Sequence, residues 1–270
     1  MLDPALYRIE PNSEVRLSDH DPQSKEGFDG GKKDGRAALL GLTRQLAELQ
    51  RRFWAQAEHG LLVVIQAIDT GGKDGTIRKV FMGVNPHGVN VRGFGAPSET
   101  ELAHDYLWRI HQHTPAKGAI TVFNRSHYED VLVVRVKGLV SSERWEKRFR
   151  HIREFERMLA DEGTVIVKLF LHISKDEQRE RLISRMEDPE KNWKFNPGDL
   201  DDRKLWDDYQ EAFAAAIAET STDYAPWYVI PANRKWYRNL AVSSVLIDTL
   251  QRLNPRYPES EHDLDGIVIV

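Results

Sequence analysis

Leu61-Leu62-Val63-Val64-Ile65-Gln66-Ala67-Ile68-Asp69-Thr70-Gly71-Gly72-Lys73-Asp74-Gly75-Thr76 is the stretch on which the fold turns. Leu61 to Ala67 is apolar and rich in β-branched residues, without the alternation of a half-buried strand. That pattern predicts a strand covered on both faces, as in a parallel sheet. A glycine-rich turn follows at once, close to the pattern of four spacers, Gly-Lys and a hydroxyl residue that opens a helix at a phosphate site. Glycines there let backbone N–H groups turn onto phosphate oxygens, the helix presents its positive end, and Lys73 supplies a point charge. Thr70, Gly71, Gly72, Lys73, Asp74, Gly75 and Thr76 are therefore expected to bind phosphate.

Two positions depart from the usual loop. Ala67 replaces the first glycine, and Asp74 stands where a magnesium-binding Ser or Thr is common. Asp69 is more telling, because a carboxylate inside a phosphate loop repels the ligand unless it binds a cation or orients an incoming phosphate. Asp69 is accordingly expected to be a metal or catalytic residue. The plain alternative is a glycine-rich strand-to-helix turn capped by an aspartate. The order of strand, Gly-Gly-Lys and helix weighs against it and points to a phosphotransferase of the P-loop kinase type.

Outward from this stretch, Val89–Phe94, Ala119–Asn124, Thr164–Ile173 and Trp227–Ile230 also read as strands, separated by helical patterns. Alternating β and α elements predict a three-layer αβα sandwich around a parallel sheet. Leu39, Leu42, Leu46, Leu49 and Phe53 recur as on one helix face within Lys32–His59, ending at Gly60. Ser98 and Glu101 form a capping box ahead of Leu102, Tyr106 and Ile110 on a common face. Trp145, Phe149, Ile152, Phe155 or Glu156, and Leu159 give another stripe, with Gly163 at its C-terminal end and its aromatics in the core. The expected organisation is an arm and amphipathic helix over 1–60 packing on the core, a kinase domain over 61–254 with a lid at about 175–204, and a tail over 255–270 whose terminal GIVIV docks as an edge strand or at a partner surface. Glu187–Asp202, with two prolines and mixed charge, suits a mobile lid.

Polar chemistry follows the third of these strands: Asn124-Arg125-Ser126-His127-Tyr128-Glu129-Asp130. Ligands in open α/β sheets gather at the carboxyl ends of strands, so this segment should face the phosphate loop. Arg125 is expected to grip phosphoryl oxygens, and Glu129 to hold a magnesium ion beside Asp69. P-loop enzymes often carry an aspartate where Asn124 stands, so Glu129 or Asp130 supplies the missing charge. His127 reads as a structural histidine or a packing partner of Tyr128, since phosphoryl transfer depends on positioning and charge neutralisation more than on a base. Around the lid, Arg181, Arg185, Lys191 and Lys194 are the basic residues expected to turn toward the loop and bind a long polyanion.

With 38 basic and 42 acidic side chains among 270 residues, net charge is only −4, which argues against nucleic acid or an anionic membrane as partner. The absence of cysteine excludes disulfide and thiolate chemistry, and the amino terminus lacks a basic-then-apolar signal pattern. No apolar run approaches the roughly 20 residues of a membrane span. The expected setting is the cytoplasm.

IQAIDTGGKDGTIRKV, GVNPHGVNVRGFGAPS, FNRSHYEDVLVVRV, DPEKNWKF and APWYVIPANRKWYRNLAV together resemble the polyphosphate kinase 2 family over nearly the whole chain. FNRSHYEDVL resembles its class III branch, in which Glu129 stands where another branch carries an uncharged residue. The resemblance implies a thymidylate-kinase-like fold with a helical lid, inorganic polyphosphate as phosphoryl donor, AMP and ADP as acceptors, and ADP and ATP as products. It also implies magnesium as cofactor, manganese being inseparable from it by oxygen ligands alone, held at Asp69 and Glu129 with Lys73 and Arg125 as catalytic partners. A homodimer or homotetramer is the expected assembly. Two competing readings are an ATP-dependent kinase of a nucleotide or small metabolite, and a nonenzymatic switch that binds polyphosphate or nucleotide.

Overall fold

In the computed structural model, which describes residues 1–263 and 265, the run after His59 is the middle of the sheet. Strand β2 (Gly60–Gln66) follows a two-residue strand β1 (Arg8–Ile9) in the chain and is buried along its whole length. Later strands are β3 (Val89–Gly93), β4 (Ile120–Asn124), β5 (Thr164–His172) and β6 (Trp227–Pro231). The sheet runs β1-β6-β5-β2-β4-β3, parallel throughout except for β1. Pairing of Ile65 with Asn124 and Gln66 with Phe170 brings the carboxyl ends of β2, β4 and β5 level, so the segments that follow them emerge on one edge.

Ten α-helical segments are found among the described residues: α1 (Lys32–Gln56), α2 (Lys73–Val80), α3 (Glu99–Leu102), α4 (Trp108–His111), α5 (Val133–Val136), α6 (Ser142–Asp161), α7 (Lys175–Glu187), α8 (Gly198–Lys204), α9 (Trp206–Thr220) and α10 (Lys235–Leu253). Helices α1, α2 and α10 pack together on one side of the sheet, and α5, α6 and α9 on the other. This is the three-layer αβα sandwich. Leu42, Leu46 and Phe53 of α1 are buried, with Leu39 and Leu49 packed against the core. The helix stops at Gln56 rather than His59 because Ala57 turns left-handed (φ 52°) and closes it.

One expectation is corrected. The pattern from Ser98 to Ile110 is two separate single turns: the capping box forms, but Leu102 is 67% exposed. Asp105 interrupts the run, its side chain accepting from the N–H groups of Leu107 and Trp108 and so starting a new turn. The amino-terminal arm is fastened down, with Leu2, Tyr7, Ile9 and Leu17 buried, β1 paired antiparallel to β6, and Tyr7 Oη 2.6 Å from Tyr237 Oη. The terminal GIVIV run lies outside the described residues. No helix among the described residues is long and apolar enough to cross a membrane.

Candidate active site

Between β2 and α2 the chain turns sharply. Thr70 adopts φ 63° and Gly72, which caps α2, φ 100°. A side chain is excluded at Gly71 for want of room, since its Cβ would lie 2.4 Å from Ala67 Cβ, and at Gly72 by the positive φ, where a Cβ would also displace Arg238 Nη1, 2.1 Å away. Arg181 holds the loop from behind, donating to the carbonyls of Thr70 and Gly71 at 3.0 Å each and to that of Ala232 at 2.6 Å. Gln178 Nε2 reaches the Asp69 carbonyl at 3.3 Å. The first-turn N–H groups of α2 have no intrahelical acceptor, and Thr70 Oγ1 is buried without a partner among the described residues. The loop thus has the form of an anion cradle.

A cavity of about 980 Å³ opens over it, floored by Asp69 to Gly75 and walled by Arg125, Arg185, Lys191 and Lys194. Lys194 Nζ crosses from the lid segment between α7 and α8 to Asp74 Oδ2 at 3.1 Å, while Asn124 Nδ2 donates to Asp74 Oδ1 at 2.7 Å. Burial works to raise the Asp74 carboxyl, but these two bonds outweigh it and hold the group below its ordinary range. Arg185 is turned to Asp199 Oδ2 at 3.1 Å. Burial lowers the Lys73 ammonium, Arg125 adds to that, and Asp69 and Glu129 oppose it; Lys73 Nζ donates to the Ala67 carbonyl at 2.8 Å.

The second constellation meets the first. Arg125 is another non-glycine residue in left-handed backbone (φ 64°), and its N–H donates to the Ile65 carbonyl at 3.2 Å, which ties the segment after β4 to the end of β2. Such backbone costs about 1–3 kcal/mol and clusters at functional sites. Arg125 Nη2 donates to Asp69 Oδ1 at 2.7 Å. Both residues also border a small inner cavity of about 30 Å³, with Glu129 and Asp202 as its other charged neighbours. With its amide oriented to satisfy its surroundings, Gln66 donates to Glu129 Oε1 at 3.0 Å and accepts from Ser126. Burial raises the Glu129 carboxyl, and Arg125 and Lys73 only partly offset it. Burial alone would lower the Arg125 guanidinium; Glu129, Asp69 and Asp199 reverse that and raise it.

Of the two acids expected to replace the charge missing at Asn124, Glu129 faces this site and Asp130 does not. Asp130 is bound by Arg148, at 2.8 Å through its carbonyl and 3.1 Å through its carboxylate. His127 faces the core, its Nε2 3.3 Å from Glu156 Oε1. Two expected phosphate ligands are placed differently from the sequence reading. Thr76 is fully buried and its hydroxyl donates to the Gly72 carbonyl at 3.1 Å, leaving nothing to offer the cavity. Arg181 is 8% exposed and grips the loop rather than the space above it. Residues the sequence reading missed include Arg78, Phe94 and Asp199 on the cavity wall, and Arg238 behind the loop. Arg238 carried a weak signal, a cation in the apolar run of a long helix.

Among the described residues no group of three or more His, Cys, Asp or Glu could hold a metal ion. Asp69 and Glu129 border one cavity with carboxylate oxygens, the donor type and number that magnesium takes when phosphates and water complete its shell. The residues present fit that ion.

The family model for polyphosphate kinase 2 matches residues 30–258. An AMP/ADP-polyphosphate phosphotransferase of Meiothermus ruber is 61% identical over 263 residues, covering 97% of this chain and 98% of that protein. An ADP-polyphosphate phosphotransferase of Rhodopseudomonas palustris is 44% identical over 266 residues, 94% of this chain and 92% of its own. Among solved structures, polyphosphate kinase 2 from Arthrobacter aurescens matches with a TM-score of 0.94 at 44% identity, covering 97% of this chain and 94% of that one. The match spans the phosphate loop, the Arg125–Glu129 turn and the lid alike, and the chain belongs to the polyphosphate kinase 2 family.

Proposed function

We propose that this protein transfers phosphoryl groups between inorganic polyphosphate and nucleotides, forming ADP from AMP and ATP from ADP by magnesium-assisted in-line displacement. The observation that carries the donor is a second groove, of about 710 Å³, that leaves the phosphate loop at Gly75 and Arg78. Lys32, Arg36, Lys79, Arg234, Lys235 and Arg238 line it, and no carboxylate among the described residues does. Arg238 is 3% exposed and, among the described residues, bonded only to Asn239 Oδ1, and burial, with Arg181 nearby, pulls it down to about 9. A cation buried without an acid is costly unless an anion completes it. A chain of phosphates does so along the whole groove, whereas an ATP donor would bring a neutral base to a wall of cations. That weighs against an ATP-dependent kinase. The acceptors AMP and ADP follow the name of the Meiothermus ruber relative.

In this reading the phosphate loop and Lys73 bind the donor end, and Arg125 neutralises charge on the passing phosphoryl group. Asp69 and Glu129 would hold magnesium, which would supply charge neutralisation to the reacting phosphates. The nucleotide phosphate is itself an anionic nucleophile, so no strong base is needed, and Asp69 acts as holder and orienter. Two carboxylates beside a phosphate cradle also disfavour a nonenzymatic anion-binding switch, since each weakens simple anion capture. The enzyme works in the cytoplasm as a homodimer or homotetramer, which light scattering reads directly. The deciding experiment incubates the protein with polyphosphate, magnesium and either AMP or ADP, and resolves the nucleotides. ATP from ADP without any nucleoside triphosphate is the expected result; transfer only from ATP overturns the reading.

A further inference from the structure

Behind the Arg125–Glu129 turn lies a charged cluster that the transfer described above does not use. Lys168 of β5, Glu156 of α6, and His127 and Tyr128 of the turn are each 0% exposed. Lys168 Nζ donates to Glu156 Oε2 at 2.6 Å, to Tyr128 Oη at 2.9 Å and to the Thr220 carbonyl at 2.7 Å, which uses all three of its protons. Tyr128 Oη lies 2.8 Å from Glu156 Oε1 and 3.0 Å from Thr220 Oγ1. Its one proton goes to the carboxylate, the stronger acceptor. Trp227 Nε1 of β6 closes the cluster on Thr220 Oγ1 at 2.9 Å. Residues of β5, β6, α6 and α9 therefore converge on two successive residues of one short turn.

Stability does not account for this arrangement, because a buried ion pair is often no better than well-packed apolar residues of the same volume. Its location does. The turn His127–Asp130 is a 3₁₀ segment of four residues, held internally by little more than Ser126, whose hydroxyl caps Tyr128 and whose carbonyl accepts from Glu129. Its inner side chains, His127 and Tyr128, enter the cluster, while Arg125 and Glu129 on either side border the cavities. Fixing the inner pair sets where the outer pair stands. We infer that Lys168, Glu156 and Tyr128 are positioning residues that hold Arg125 and Glu129 at the phosphate loop, so that this ion pair serves the transfer step rather than the stability of the fold. The inference rests on the function proposed above.

Tyr128→Phe removes one hydroxyl and leaves the ring packed edge-on against Trp227, with centroids 4.8 Å apart. A double variant, Lys168→Met with Glu156→Leu, removes the charges as a unit. Each is measured for melting temperature, calorimetric affinity for ADP, kcat and KM with polyphosphate, and the magnesium concentration for half-activation. Both are expected to melt within a few degrees of the parent and to bind ADP within about twofold. Both should lose about 10- to 100-fold in kcat, as misplaced catalytic groups do, and require several times more magnesium. If the double variant fails to fold, Tyr128→Phe decides alone. Parental kcat and magnesium dependence in the folded variants, or a kcat that falls only with the folded fraction, overturns the inference. A parent that transfers nothing from polyphosphate fails the proposed function instead, so the two failures are distinct.

Discussion

Asp69→Asn separates two ways in which a carboxylate can sit within a phosphate loop. The change is isosteric, and the Asp69 carbonyl keeps its bond from Gln178 Nε2 at 3.3 Å, so the loop backbone stays in place. What disappears is one negative charge 2.7 Å from Arg125 Nη2. A carboxylate about 4 Å from a phosphate charge opposes it by roughly 4 kcal/mol at an effective dielectric constant of about 20. Were repulsion its only effect, the substitution would tighten phosphate binding and leave turnover equal or faster. Should Asp69 hold magnesium with Glu129, the substitution removes one of two protein carboxylates at the ion and leaves Arg125 with a neutral acceptor in place of its charged partner. Losing a charge-stabilising group of this kind costs about 10²–10³ in kcat, or about 3–4 kcal/mol. The two accounts differ in sign.

Stability does not blur the result. The Arg125–Asp69 pair is partly exposed, 39% and 21% by side chain, and such pairs contribute about 0–1 kcal/mol. The melting temperature should move by no more than a few degrees. ATP formation from ADP and polyphosphate, followed by luminescence across a magnesium titration carried to saturation, gives the comparison. Near-parental turnover of Asp69→Asn at saturating magnesium refutes the metal-holding assignment.

Lys194→Ala removes the contact between lid and loop at Asp74 Oδ2; KM for polyphosphate should rise about three- to tenfold with kcat nearly unchanged, the mark of lost uniform binding, and an unchanged KM in steady-state assays argues against a closed-lid role. Arg238→Met takes away a buried cation that no acid balances, so the free protein should melt no lower than the parent while losing the thermal shift that polyphosphate gives. An equal shift in both proteins, by scanning fluorimetry, removes Arg238 from the donor groove. Burial, with His20 beside it, takes His172 from its ordinary 6.5 down to about 4. Between those values the unfolded chain binds more protons than the folded one, so stability present in full above pH 6.5 is lost as pH falls toward 4. Melting temperatures recorded over that range should decline, and His172→Leu should flatten the decline; an identical slope refutes the assignment.

What the sequence shows well is what is local. The uninterrupted run of β2, the glycines after it and the helix they open lie within 16 residues, Leu61 to Thr76, and each feature constrains the next. Strand β1 is invisible for the opposite reason. It has two residues, and its partners, Tyr228 for Arg8 and Trp227 for Ile9, lie far along the chain. Arg181 and Arg185 show a different limit. They are one helical turn apart on α7, yet Arg181 points under the loop to its carbonyls while Arg185 meets Asp199 at the lid. Spacing placed both near the site and could not say that one is a brace and the other part of the wall, because α7 runs between loop and lid.

The inner side of the Arg125–Glu129 turn was hidden differently. FNRSHYED marks His127 as a structural histidine or a packing partner of Tyr128, but nothing in its composition says that the two enter a buried ion-pair cluster. The signal lay in two neighbouring elements, each of which breaks its own pattern once. Lys168 interrupts an apolar strand, and Glu156 competes with Phe155 for a place on the apolar stripe of α6. Taken singly, each is a charge at a core position, which folding should reject. Taken together they cancel, at 2.6 Å, and neither belongs where it is without the other. Two opposite charges that violate the patterns of a helix and the strand following it are therefore best read as a pair. The turn that such a pair grips is the place to look for groups that must not move.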